Sequence, residues 1–79
     1  MALVVELEPC QKERQAVHKK TRCLFSVVNG SDGNRYFQLD TYGSDERQHP
    51  EKVSQSLQFD AKAAQQLVDL LKQTFPNLR

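Results

Sequence analysis

The side chains of this chain that can do acid–base or nucleophilic chemistry are few and scattered. Histidine is the side chain that most readily changes protonation near neutral pH, and the chain has two, His18 and His49. Neither belongs to a recognisable motif with a Ser or Cys nucleophile. Asp45 and Glu46 are adjacent carboxylates in a polar segment, whereas an acid–base pair needs two different environments that separate the protonation of its members. We therefore expect no enzymatic activity.

The cysteines and glycines do not form a recognisable metal or phosphate site. Cys10 and Cys23 are thirteen residues apart, and no CxxC or HxxxH pair presents two ligands on one turn, as structural zinc sites do. Residues 29–34 are rich in Gly, Asn and Asp, but they connect two predicted strands and do not open a helix, which phosphate-binding loops require. We expect no metal and no cofactor, two reduced thiols, and Cys23 as a small core residue.

A polar strand face offers the best candidate binding surface. Between Arg35 and Tyr42, side chains alternate, so that Phe37, Leu39 and Thr41 point to one face and Tyr36, Gln38, Asp40 and Tyr42 to the other. Arg35, Arg47 and Lys52 flank the second face. Exposed sheet aromatics stack unpaired nucleic-acid bases in several small folds. The alternative is that the two tyrosines are ordinary strand residues, and Asp40 would repel phosphate.

A basic segment precedes these strands. Residues 10–22 contain five Lys or Arg against Glu13 alone, five minus one or +4, although the whole chain carries a net charge of only +1. Its residues Lys19, Lys20 and Arg22 are candidates for contacts with phosphates. A short run of this kind is also typical of a solvated loop or of an edge strand that uses Lys to block unwanted pairing.

Length and composition predict one small domain over residues 1–79, with residues 1–12 as a possible arm. The 79 residues are 38% hydrophobic and 27% charged, which is typical of a globular protein and not of a disordered one. No apolar run approaches the ~18 residues that span a membrane. The first residues lack the basic n-region of a signal peptide, so we expect a cytoplasmic protein. Because so short a chain buries little surface, self-association is expected.

Local patterns predict four strands and a helix. The strands are expected over residues 3–7 (an edge strand or an arm), 21–28, 35–42 and 52–59, with turn formers at 29–34 and a polar loop at 43–51. Asp60 is a good N-cap for a helix that continues to about Phe75 and stops at Pro76.

The predicted helix carries a wide apolar stripe. Ala64, Leu67, Val68, Leu71 and Phe75 recur at three- and four-residue spacing, and Leu70 widens the stripe. The helix either covers a small sheet alone or also contacts a second subunit. In the second case the interface would consist of Leu67, Leu70, Leu71 and Phe75.

Residues 35–67 resemble the positive cofactor four family of single-stranded-DNA-binding transcriptional coactivators, which has bacterial and phage relatives. FQLDTY (37–42) is similar to the family's strand of alternating residues, residues 44–51 with Pro50 to its polar loop, and SLQFD (56–60) to its second strand running into a capped helix. The chain departs from the family at Asp40, Ser56 and Ala64, where the family has a basic residue, Gly and an aromatic. Residues 39–60 also resemble short uncharacterised bacterial proteins.

This resemblance implies an α+β fold, ββββα, with four antiparallel strands and a C-terminal helix. It also implies a homodimer that pairs through helices and strands and binds single-stranded DNA or RNA. Arg35, Arg47 and Lys52 would contact phosphates, and Tyr36 and Tyr42 would stack on bases. The basic run adds Lys19, Lys20 and Arg22. The rival hypothesis is a protein–protein interaction module, a regulatory subunit or an inhibitor, that binds no nucleic acid.

Overall fold

Four strands form one sheet, and a single helix follows the last of them. The computed structural model describes residues 1–11, 16–42 and 53–79. The elements are β1 (Ala2–Val4), β2 (Cys23–Asn29), β3 (Arg35–Tyr42), β4 (Val53–Phe59) and α1 (Ala61–Thr74). The sheet order is β1-β4-β3-β2. The predicted α+β architecture, ββββα, is confirmed.

Strands β2 and β3 form the predicted hairpin. Their antiparallel ladder runs from Cys23 opposite Thr41 to Asn29 opposite Arg35. The turn is closed by the Gly30 amide, which donates to the Asn34 carbonyl at 2.8 Å, and by the Gly33 amide, which donates to the Gly30 carbonyl at 3.1 Å. Gly33 has φ of +86°, as expected for a three-residue hairpin loop whose last residue is left-handed.

Gly33→Ala is expected to destabilise the protein by about 1–2 kcal/mol, because a Cβ is unfavourable in left-handed backbone. A Cβ at Gly33 would contact nothing within 4 Å, so the cost comes from the backbone and not from a clash. Urea unfolding followed by circular dichroism measures it. The exposed neighbour Ser31→Ala is the control, with an expected change within about 0.5 kcal/mol. Equal unfolding midpoints for the two variants would contradict this account of the turn.

Strand β1 is parallel to its neighbour in the sheet, whereas four antiparallel strands were expected. It pairs in parallel with β4, Ala2 lying opposite Leu57 and Val4 opposite Phe59, so one of the three pairings is parallel. After β1 the chain lies beside the helix: the Leu7 amide donates to Gln66 Oε1 at 3.0 Å, and Gln66 Nε2 donates to the Leu7 carbonyl at 3.2 Å. Because this contact holds the start of the chain next to β4 and α1, β1 lies at the edge opposite β2.

Helix α1 begins and ends as its capping residues predict. The Asp60 carboxylate accepts from the Ala63 amide at 2.8 Å, which satisfies one of the unpaired donors of the first turn. The Phe75 amide donates to the Leu71 carbonyl at the other end, before Pro76. No helix among residues 1–11, 16–42 and 53–79 is long and apolar enough to cross a membrane.

The sheet has one apolar and one polar face, as the alternation predicts. Residues directly opposite each other in an antiparallel ladder share a face. The apolar face, as we use the term, consists of Phe25, Val27, Phe37, Leu39, Leu57 and Phe59; Cys23, Arg35, Thr41 and Gln55 lie on the same side of the sheet, toward the ends of the strands. The polar face consists of Ser26, Tyr36, Gln38, Asp40, Tyr42, Ser56 and Gln58, together with two apolar residues of β2, Leu24 opposite Asp40 and Val28 opposite Tyr36.

Very little of the apolar face is buried in the single chain. Among the described residues, only Phe59 and Ala63 are buried hydrophobics. Phe37, predicted to be core, is 40% exposed. Cys23, predicted to be a core residue, is exposed, because it lies on an edge strand that the helix does not cover. The helix residue that is fully buried is Ala63, one position before the predicted stripe.

Candidate nucleic-acid interface

The polar face brings the two predicted stacking residues together on one strand. Tyr36 and Tyr42 lie near opposite ends of β3, six residues apart and on the same side by alternation. At ~3.3 Å per residue, their Cα atoms are about 20 Å apart. Both residues are half-buried, not fully exposed as predicted.

Tyr36 is held over the hairpin turn by Asp32. The tyrosine hydroxyl donates to Asp32 Oδ2 at 2.5 Å, and the Asn34 amide donates to Asp32 Oδ1 at 3.0 Å. The hydrogen bond to Asp32 raises the pKa of Tyr36, and the same bond is the main cause that lowers the pKa of Asp32. At neutral pH the ring is therefore an uncharged donor beside a carboxylate. A Cβ at Gly30 would lie 2.9 Å from the Tyr36 ring, so glycine there leaves room for it.

A chain of hydrogen bonds crosses the centre of the polar face. Gln58 Nε2 donates to Gln38 Oε1 at 2.8 Å, and Gln38 Nε2 donates to both Asp40 carboxylate oxygens at 3.0 and 3.1 Å. This network was not predicted, although the alternation placed Gln38 and Asp40 on one face. The position of Gln58 beside Gln38 follows only from the register of β3 against β4. The network holds two side-chain amides and a carboxylate in fixed positions on the polar face, between the tyrosines.

The described basic candidates lie at both ends of β3. Arg35 is exposed and directly precedes Tyr36, so alternation places it on the side of Phe37 and not on that of the tyrosines. Lys19, Lys20 and Arg22 are exposed in the segment before β2. Cys23, the first residue of β2, lies opposite Thr41. Arg22 directly precedes Cys23 and therefore lies near the Tyr42 end of β3. Arg47 and Lys52 lie outside the described residues, as do His49, Asp45 and Glu46.

The candidate dimer residues lie between the middle of α1 and its C-cap, Phe75. Leu67 is half-buried, whereas Leu70, Leu71 and Phe75 are exposed. The structure therefore separates two groups of candidates: the tyrosines with Arg35 on the sheet, and the apolar side chains on α1.

The remaining described groups offer hydrogen bonds and ring surfaces. A shallow depression of about 400 Å³ next to β1 is lined by Met1, Ala2, Leu3, Gln38, Ser56 and Gln58. His18 is exposed. Within the described part of the chain, no three His, Cys, Asp or Glu side chains are placed to hold a metal ion. Planar rings, amides and flanking cations are the groups that recognise unpaired bases and phosphates.

Comparison of this chain with protein-family profiles, with curated proteins and with solved structures finds no match. The likeness to the positive cofactor four family is therefore a resemblance carried by residues 35–67 alone.

Proposed function

We propose that this protein is a non-enzymatic, single-stranded nucleic-acid-binding protein with a regulatory role in transcription or DNA metabolism. One observation carries the proposal: Tyr36 and Tyr42 share the polar face of β3, and Arg35 and Arg22 lie at its two ends. Stacking platforms with flanking cations bind single strands with little sequence preference. The exposed thiol of Cys23 suits a reducing compartment, and a cytoplasmic location is part of the proposal.

The charge distribution favours a strand that turns its bases toward the sheet. Asp40 and its two glutamine partners occupy the centre of the polar face. A carboxylate there repels phosphates but accepts hydrogen bonds from exocyclic base amino groups, and amides both donate and accept. The phosphates then lie at the rim, near Arg35 and the segment that contains Lys19, Lys20 and Arg22. Duplex DNA keeps its base faces stacked inside the helix, so this surface discriminates against it.

The separation of the tyrosines sets a minimum length for the ligand. Phosphates of one strand in a duplex are ~3.4 Å apart along the axis, so about six nucleotides with duplex-like stacking span the ~20 Å between the rings. A trinucleotide reaches only one tyrosine unless it is greatly extended. Affinity is therefore expected to rise steeply between three and about eight nucleotides and then to level off.

Charge reversal in the basic segment is expected to reduce the salt dependence of binding. Each phosphate contact on a single strand contributes about −0.7 to the slope of log K against log salt concentration, because a counterion is released. Lys19→Glu with Lys20→Glu should therefore flatten the slope by about 1.4, if both lysines contact phosphate. Fluorescence anisotropy of a labelled twelve-nucleotide single strand at several salt concentrations measures this slope.

The control places the same change of net charge elsewhere. Lys72→Glu with Arg79→Glu alters the last turn of α1 and the end of the chain, where both residues are exposed. This variant should keep the wild-type slope. If the two double variants gave the same slope, the basic segment would have no direct part in binding.

The protein–protein module is the second candidate function, and a specific observation favours it. Several large apolar side chains of the sheet and helix are exposed, among them Phe25 at 73% and Val27 at 57%. Contiguous exposed apolar surface marks protein interaction sites. This surface and the polar face lie on opposite sides of the sheet, so one function does not exclude the other.

A further inference from the structure

The depression beside β1 is lined by polar residues on one side and by the start of the chain on the other. Its volume is about 400 Å³, within the range of small-molecule sites. Gln38, Ser56 and Gln58 form the polar side, and all three are half-buried. Residues 1–3 form the other side. The depression thus lies on the polar face, where β4 meets β1.

Strand β1 supplies an apolar side chain at this point of the polar face. In the parallel register Leu3 lies opposite Gln58, and paired residues of neighbouring strands point to the same side of a sheet. Leu3 is 46% exposed and lines the depression. The hydrogen bonds between Leu7 and Gln66 hold the continuation of the same segment beside α1. An apolar side chain is therefore held next to the Gln58 amide.

Asp40 determines how the two glutamine amides are oriented. A carboxylate only accepts hydrogen bonds, so Gln38 turns its Nε2 toward Asp40, at 3.0 and 3.1 Å, and its Oε1 toward Gln58. Gln58 must then donate, and its Nε2 lies 2.8 Å from Gln38 Oε1. Among residues 1–11, 16–42 and 53–79, no donor to Gln58 Oε1 is found. The Gln58 amide therefore has an unused acceptor and, since Nε2 carries two hydrogens, one unused donor.

A side-chain amide with a free acceptor and a free donor matches the edge of adenine. Asn and Gln bind adenine through two hydrogen bonds, accepting from the N6 amino group and donating to N7. On the same edge guanine has two acceptors, cytosine one donor and thymine one acceptor, so each of these bases leaves a group of the amide unpaired. The ring of an adenine paired in this way lies beside Leu3, which is the neighbour of Gln58.

The depression is close enough to Tyr36 for both to bind one strand. Gln38 is two residues from Tyr36 on β3, and Gln58 lies opposite Gln38 on β4. At ~3.3 Å per residue and ~4.8 Å between strands, the Cα atoms of Tyr36 and Gln58 are about 8 Å apart. Two stacked nucleotides cover ~7 Å. A strand that stacks on Tyr36 therefore reaches Gln58 with a base one or two positions along.

We propose that this depression binds one adenine of a bound single strand. Gln58 Oε1 accepts from the N6 amino group, Gln58 Nε2 donates to N7, and Leu3 packs against the ring. Asp40 positions the amide through Gln38. The proposal rests on the proposed function, because the tyrosines and the basic residues hold the strand through contacts that are indifferent to the base. It adds a preference for adenine at one part of the strand.

The test uses six-nucleotide thymidine strands that carry a single adenine at each position in turn. Fluorescence anisotropy compares their affinities with that of the all-thymidine strand. A bidentate pair is worth at least about fivefold in affinity, so we expect that gain at one or two neighbouring positions and changes below threefold elsewhere. Replacing this adenine by purine, which lacks only the N6 amino group, should abolish the gain. The purine strand tests the wild-type protein and does not depend on a variant folding.

Matched variants of β4 assign the gain to Gln58. Gln58→Leu should abolish it and keep the affinity for the all-thymidine strand within threefold. Gln55→Leu, the same substitution at an exposed residue on the other side of β4, should preserve it. Circular dichroism checks that both variants are folded.

The outcomes separate this proposal from the proposed function. Equal affinities of the all-thymidine and adenine-containing strands, or a gain that survives Gln58→Leu, would overturn the adenine site and leave single-strand binding intact. Absence of binding to every strand, a twelve-nucleotide strand included, would overturn both.

Discussion

Phe59→Ala is expected to remove most of the stability of the folded chain. Phe59 is 6% exposed and, with Ala63, makes up the buried hydrophobic residues of the described chain. Truncating a buried phenylalanine costs about 3–5 kcal/mol through lost apolar burial and the cavity left behind. Small domains have total stabilities near the lower end of 5–15 kcal/mol, so the variant should be largely unfolded by 37 °C. Urea unfolding at one fixed protein concentration, followed by circular dichroism, measures the loss.

The control is the same kind of truncation at an apolar residue that is exposed. Val17 is 99% exposed, and Val17→Ala is expected to shift the stability by less than about 0.5 kcal/mol. A Phe59→Ala variant that unfolded within 1 kcal/mol of the wild type would show that the junction of β4 and α1 is not the centre of the fold.

Removing both tyrosine rings from the polar face is expected to have the largest effect on binding. Tyr36→Ala with Tyr42→Ala deletes two stacking surfaces, and each lost stack weakens single-strand binding by roughly fivefold to a hundredfold. The double variant should therefore lose at least about 25-fold in affinity for a twelve-nucleotide strand. The effect should be much smaller for a trinucleotide, because that ligand reaches one ring only. Anisotropy titrations at one salt concentration measure both ligands.

The matched control keeps the rings and removes the hydroxyls. Tyr36→Phe with Tyr42→Phe loses the hydrogen bond from Tyr36 to Asp32 but keeps both planar surfaces. Its affinity should stay within threefold of the wild type. Circular dichroism of both double variants checks that the hairpin is intact. Wild-type affinity in the folded alanine variant would rule out stacking as the basis of binding.

Elements that depend on neighbouring residues could be predicted from the sequence. Strand β3 has the predicted bounds, Arg35–Tyr42, because alternation and turn formers are local signals. The helix begins after Asp60 because a carboxylate there satisfies first-turn amides. The two sides of β3 also follow from alternation alone. Alternation thus predicts that Tyr36 and Tyr42 lie on one face.

Features that depend on distant residues could not be predicted. The partner of β1 is set by contacts across the fold, such as those of Leu7 with Gln66, 59 residues apart. The hydrogen bond between Gln58 and Gln38 needs the register of β4 against β3. The exposure of Phe25 and Cys23 could not be foreseen either, since an apolar strand face predicts burial but does not say which element covers it.

Binding of labelled single-stranded and duplex oligonucleotides at two salt concentrations, with the mass of the protein measured by light scattering, tests the proposed function most directly. The polar face carries two tyrosine rings with amides and a carboxylate between them, and basic residues lie near the ends of β3. This arrangement predicts a preference for the single strand and an affinity that falls as salt rises. The resemblance to the coactivator family implies a mass of two chains. Absence of binding at low salt, or equal affinity for duplex and single strand, would contradict the proposed function whatever the mass.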